Sequence, residues 1–350
     1  MKLPLSSNVD IYTWAEQNFL YEILVTMDTG YDWLMNQFIQ LRGSHYVDYR
    51  YGAVDSSITF YPYSIHQLTP NMFDLCPFIN KYTVPKKYVR EKTKNFYEFV
   101  CRCIDDGFYL STFLDQFFRE EREGKKGYHH PNFIYGYDNH KVYLADNFYQ
   151  GKYGHQEITE QELNEAFELV PGENWVVSVF LYQRVESYQH KFCPQYVKEQ
   201  MQDFLNPHQG ICYLDRTICV DPFQKDDNYL NQVYFGVECY DLLRQYIVGL
   251  LDEDNEYLDN DWRSFSMLID HKEMMVKRYK YMVEQHYLEP NQRLQEGLEK
   301  LKEECVIVRN LFLKYTMCRK TILLFDIVEK LDNIQENDCK YIQTFIELIN

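Results

Sequence analysis

From residue 11 the apolar positions Ile11, Trp14, Phe19, Leu20, Ile23 and Leu24 follow the three-four spacing of a helix face turned toward a core, and Asp10 stands where it could cap that helix. The same spacing predicts a short helix over 31–41 and another over 93–106, where Phe96, Phe99, Val100 and Cys103 share one side. Aromatic-rich stretches at 57–63 and 80–84, with Pro77 and Pro85 as punctuation, read as strands, and Gly107 releases the chain into a further strand over 108–114. Thr159-Glu160-Gln161-Glu162 is a capping box that opens a helix through Leu163, Ala166 and Phe167, and 175–182 is a strongly apolar strand. Beyond about residue 190 helical periodicity dominates, at 197–205, 234–251, 262–286, 291–315 and 321–331. Leu294, Leu298, Leu301, Cys305, Val308 and Phe312 form a lengthwise seam, and with Glu289-Pro290 as the turn, 262–286 and 291–315 make a long antiparallel helical hairpin.

One stretch adds chemistry to the pattern. The apolar run Phe133 to Tyr137, a polar turn at Asp138-Asn139 and a second run from Val142 to Ala145 predict a β-hairpin. His130 enters the first strand and Asp146 leaves the second, so antiparallel pairing brings them to one edge of the sheet. A carboxylate beside an imidazole fixes its tautomer and stabilises its charged form, the base and orienter of a nucleophilic triad. Neighbouring strand residues face opposite ways, so only one of His129 and His130 can meet Asp146. Asp115, at the end of the 108–114 strand, is a further carboxylate that either reaches the same cleft or sits at a solvated strand end.

Composition bounds the rest. The 350 residues are 45% hydrophobic, enough for one large domain or two of common size, and 17% aromatic with 32 Tyr. A formal charge of -17 argues against nucleic acid and anionic membrane as partners. The mixed run Arg119-Glu120-Glu121-Arg122-Glu123-Gly124-Lys125-Lys126 reads as a solvated loop. Ten cysteines are scattered without zinc-knuckle or Cys-x-x-Cys spacing, no apolar segment follows Lys2, and no window reaches a membrane-spanning length, which together suggest a cytoplasmic protein with reduced thiols. His45, His66, His140, His155, His190, His208, His271 and His286 are dispersed, and the acidic stretch 252–261 lacks the pattern of a calcium loop, so neither a metal nor another cofactor is expected. There is no glycine-rich phosphate loop.

The hairpin from His130 to Phe148, the Glu162-Leu163-Asn164-Glu165-Ala166-Phe167 helix after it and the helix before it resemble the papain-type cysteine-peptidase and acyltransferase superfamily. More narrowly, residues 10 to 180 are similar to the N-terminal domain of butirosin biosynthesis protein H and related proteins of peptide natural-product clusters, and Tyr234-Phe-Gly-Val-Glu-Cys-Tyr240 is a second echo. The resemblance implies acyl transfer: a cysteine thiolate takes an acyl group from a carrier-protein thioester and a small-molecule amine then accepts it. It maps His130 onto the general base and Asp146 onto its orienter; beside that mapping, Asp115, His129 and Tyr135 are candidate substrate-binding residues.

The sequence departs from that pattern at its centre. A nucleophilic cysteine belongs near the start of the first helix, where the helix dipole lowers its pKa. Counting back from Ile23-Leu24, the position falls at or near Ala15, an alanine whether by nature or by replacement. Thr13 and Ser7 are the hydroxyls nearby, and Cys76, Cys101 and Cys103 read as small buried apolar residues.

The expected architecture is α+β, a papain-like domain over 1–190 with an antiparallel sheet and an N-terminal core helix, followed by a mainly helical region over 191–350. Its expected activity is acyl transfer or amide formation in peptide or amino-acid-derived natural-product biosynthesis. The alternative is a non-catalytic pseudoenzyme that binds substrate or serves as a scaffold. The partners on either reading are an acyl carrier protein or peptidyl thioester and an amine acceptor; the helical hairpin either packs against its own domain or offers a docking face to a partner or a second copy of the chain.

Overall fold

The computed structural model describes residues 1–8, 10–48, 53–61, 72–148, 151–171, 178–207, 233–251 and 261–349. Chain order among them is α1 (Ala15–Leu24), α2 (Gly30–Asn36), β1 (Leu41–Asp48), β2 (Ala53–Phe60), α3 (Met72–Leu75), β3 (Ile79–Pro85), α4 (Lys86–Lys92), α5 (Phe96–Asp105), β4 (Phe108–Asp115), β5 (His129–Asp138), β6 (Lys141–Asn147), β7 (Tyr153–Thr159), α6 (Glu160–Glu168), β8 (Ser178–Arg184), α7 (Pro194–Leu205), β9 (Val233–Phe235), α8 (Cys239–Leu251), α9 (Arg263–Glu284), α10 (Gln292–Cys318) and α11 (Ile322–Leu348). The protein is a mixed helix and strand chain with antiparallel sheets and a helical C-terminal region. It divides into two compact units, Met1–Tyr31 with Met72–His190, and Asp32–Asn71 with Lys191–Asn350.

The first unit is built on a six-stranded sheet in the order β3-β8-β4-β5-β6-β7, every neighbouring pair antiparallel. Side chains alternate across it. On one face α1 presses Phe19 onto Phe133 (centroids 4.6 Å apart, stacked) and edge-on to Tyr109. On the other face Tyr137 reaches Asp105 of α5, and α5 packs on α6 through stacked Phe96 and Phe167 rings 3.8 Å apart. The β5–β6 turn is Asn139-His140, both with positive φ (47° and 62°), one residue later than the expected Asp138-Asn139. A two-residue turn with two left-handed residues matches the twist of the strands it joins. The register of β5 on β6 shifts between Ile134 and Gly136. Gly136 there leaves room for Lys2, which bridges to it; a Cβ would lie 2.7 Å from the Met1 carbonyl.

Several boundaries differ from expectation for identifiable reasons. Helix α1 starts at Ala15 behind Trp14, not at Ile11, because Asp10 accepts the Tyr21 hydroxyl at 2.5 Å instead of capping a helix. Helix α5 starts at Phe96, where the Asn95 side chain accepts from Glu98 N. The Thr159–Glu162 capping box is present. The 93–106, 108–114 and 197–205 elements appear with shifted ends, whereas α4 and β7 had no sequence expectation. Residues 62–63 and 175–177 of the expected strands, His66, His208 and the acidic stretch 252–260 lie outside the described residues.

In the second unit β2-β1-β9 form a small antiparallel sheet. Helices α9 and α10 pair through stacked Phe265 and Phe312 rings 4.5 Å apart, and Leu294, Leu298, Leu301, Cys305, Val308 and Phe312 are all buried. Helix α11 runs to Leu348, well past the expected end at 331, with Leu324, Ile327, Leu331, Ile334, Ile342 and Phe345 buried along one stripe. A buried Lys272–Asp338 ion pair, joined by the Tyr240 hydroxyl at 2.9 Å, ties α9, α11 and α8 together. No helix among the described residues is long and apolar enough to cross a membrane.

Candidate functional site

The register builds the site before any side chain is considered. Leu114 pairs with His130 and Thr112 with Asn132, while Phe133 pairs with Ala145. His130, Asn132 and Asp146 therefore share the face turned away from Phe133 and α1. His130 Nδ1 lies 2.9 Å from Asp146 Oδ2 and 3.0 Å from its neighbour's carbonyl, that of Pro131. Both partners are acceptors, so Nδ1 carries the proton in every charge state and Nε2 is the nitrogen free to act as a base. The imidazole is about a third exposed and Asp146 is fully buried.

Three residues that sequence reasoning passed over complete the site. Asn132 Nδ2 donates to Asp146 Oδ2 at 2.5 Å, and Arg119 Nη2 donates to the same oxygen at 2.5 Å. Gln116 accepts from Arg119 Nε at 2.6 Å and donates to Asn132 Oδ1 at 2.7 Å and to the Leu114 and His130 carbonyls. Arg119 is 7% exposed, so the charged run it opens is not wholly a solvated loop: the connection after β4 folds back and buries its first cation on Asp146. The only signal in the sequence is position, a basic residue four beyond a strand end.

Asp115 corrects a second expectation. It is 1% exposed, not solvated, and accepts from Phe117 N at 3.1 Å and Gly127 N at 2.6 Å. Its Oδ2 lies 3.4 Å from His129 Nε2, so the two adjacent histidines meet two different carboxylates. His129, paired with Asp115, shares the side of β5 that carries Phe133 toward α1. Tyr135 does not join either pair. It is buried beside Tyr143 and His155, with its hydroxyl pushed up to about 12 chiefly by burial.

Ala15 is the first residue of α1, and no side chain caps the helix there. The strand end approaches this turn, since Asn147 Nδ2 donates to the Thr13 carbonyl at 2.8 Å. The register places His130 on the face of the sheet opposite α1, whose first residue is Ala15. Among the described residues no thiol or hydroxyl hydrogen-bonds His130. The unit's cysteines offer no substitute: burial pushes Cys76 and Cys103 up to about 12 and raises Cys101, which leaves them as thiols. One turn into α1, Asn18 is fully buried with neither side-chain polar atom hydrogen-bonded among the described residues. Also on α1, buried Glu22 takes His155 Nε2 at 2.9 Å and the Tyr153 hydroxyl at 2.8 Å, a pairing of α1 to β7 that the dispersed histidines gave no hint of. Among the described residues no group of three or more His, Cys, Asp or Glu could hold a metal ion.

A scan of protein-family models finds none that matches this chain, and a search of curated proteins finds no match either.

Proposed function

We propose that the first unit is a papain-like acyl-transfer module of peptide or amino-acid-derived natural-product biosynthesis. In this reading His130 is the general base, Asp146 its orienter, and position 15 the place of the nucleophile. The observation that supports it is the His130–Asp146 pair, with Nδ1 fixed by a buried carboxylate and Nε2 left to take a proton. The chemistry would be thioester exchange: a thiolate attacks the acyl carbon of a carrier-protein or peptidyl thioester, expels the donor thiol, and yields the acyl group to an amine with loss of its proton to the base. The chain as it stands has alanine at that position.

That alanine favours a second reading, in which the unit binds an acyl or peptidyl ligand without turning it over, as a substrate-binding or scaffold protein. The two readings separate in one experiment. Intact-protein mass is measured after incubation with aminoacyl and peptidyl thioesters, for this chain and for Ala15→Cys. Acylation of the Ala15→Cys protein alone, lost when His130 is changed to Gln, supports the acyl-transfer site. Acylation of neither, with retained binding of the thioester, supports the binding protein.

A further inference from the structure

We infer that Arg119 is a positioning residue that acts on His130 through Asp146, its guanidinium fixing the carboxylate that orients the imidazole. This rests on reading His130–Asp146 as base and orienter. Asp146 is fully buried, and a carboxylate out of water needs a cation or hydrogen-bond donors; besides His130 and Arg119, Asn132 Nδ2 and Asn147 N donate to it. Of these four groups only the guanidinium is a permanent cation.

Three nitrogens of Arg119 are held. Its Nη2 bonds Asp146 Oδ2 at 2.5 Å, Nη1 bonds the Asn147 carbonyl at 2.8 Å, and Nε bonds Gln116 Oε1 at 2.6 Å. The guanidinium also lies over the Phe148 ring, 5.2 Å from its centroid. Gln116, which mounts the arginine, is also tied to the His130 carbonyl and to Asn132, so it links Arg119 to the strand bearing the histidine. Other charged and titratable groups face the pair: Tyr153 of β7, whose hydroxyl is raised chiefly by burial and in part by the Asp146 charge, and Arg122, which lies over the Tyr128 ring at 5.1 Å. Glu121 touches Arg119 from outside at 3.9 Å, Asp115 is engaged by His129, Lys126 pairs with Glu165, and the Tyr128 ring sits 6.2 Å from that of His130.

The test is the proton-binding curve of His130, followed by NMR of its ring in the full chain and assigned by its disappearance in His130→Gln. Arg119→Met is expected to move the curve to higher pH, because a cation beside the shared carboxylate has gone, and Arg119→Lys to return it most of the way. An unmoved curve in folded Arg119→Met leaves the arginine a structural strut and overturns the inference. If Arg119→Met does not fold by circular dichroism, Gln116→Ala loosens the mount and keeps the charge; a smaller shift in the same direction supports the inference and no shift overturns it. The readout needs neither thioester nor thiol. A shifted curve in a protein whose Ala15→Cys variant is never acylated would therefore reject the acyl-transfer reading while the hold of Arg119 on the pair stands.

Discussion

His129 and His130 are consecutive in the chain yet answer to different carboxylates: His129 faces Asp115 at 3.4 Å and His130 faces Asp146 at 2.9 Å. Strand alternation puts the two rings on opposite faces of the sheet, so they are separate pairs, one on the side of α1 and one beneath Arg119.

The first prediction follows from that separation. In an Ala15→Cys background, thioester acylation is expected to fall at least a hundredfold with His130→Gln and to change little with His129→Gln, as a general base contributes about 10²–10⁴-fold. Rates of mass gain read this directly. The reverse ranking would move the base to the His129–Asp115 pair, which lies on the α1 side of the sheet.

Asp146 carries a structural load as well. Changing it to Ala leaves Arg119 buried without its anion, a loss of about 3 kcal/mol by the usual cost of breaking a buried pair. Urea unfolding should show it. A double change, Arg119→Met with Asp146→Ala, should recover much of the loss, and failure to do so would mean that the pair is not coupled.

Lys86 gives a pH signature. It is buried under the Phe167 ring and donates to the Phe113 carbonyl at 2.8 Å; burial first, and Arg90 next, push its amine down to about 7. Below about 7 both folded and unfolded chains hold the proton, and the folded state bears the whole cost of the buried charge. Between about 7 and the ordinary value of 10.5 only the unfolded chain is protonated, so this residue makes stability rise with pH. Lys86→Met should accordingly stabilise most at or below about pH 7, with an advantage that shrinks toward about pH 10. Urea midpoints of the two proteins across that range check the sign, and a constant difference would refute it.

Asn18 is the simplest test of the ground around position 15. Asn18 has no partner among the described residues, and a buried amide left unpaired costs on the order of 1–3 kcal/mol, so Asn18→Leu is expected to raise the melting temperature. If it lowers stability instead, the amide has a partner such as an ordered water, and the turn below Ala15 is a polar site.

Sequence patterning by itself determined the local elements. Period-two apolar runs around a turn gave β5 and β6, three-four spacing gave α1, α5, α7, α9 and α10, and Thr159 with Glu162 gave the start of α6, because each depends on residues a few positions apart. It also placed His130 and Asp146 within reach, since a hairpin with a short turn fixes its own register. Tertiary structure alone decided the rest. Asp115 and Arg119 look like surface residues in a polar stretch, and they are buried only because the connection after β4 returns beneath β5 and β6. The contact of Arg119 with Asp146 spans 27 positions and depends on the pairing of two strands, β5 and β6, which no local period encodes. The length of α11 was hidden for a related reason: its later turns carry Gln, Glu, Asn and Asp, and only packing on other helices shows which of them, such as Asp338, face inward against a buried lysine.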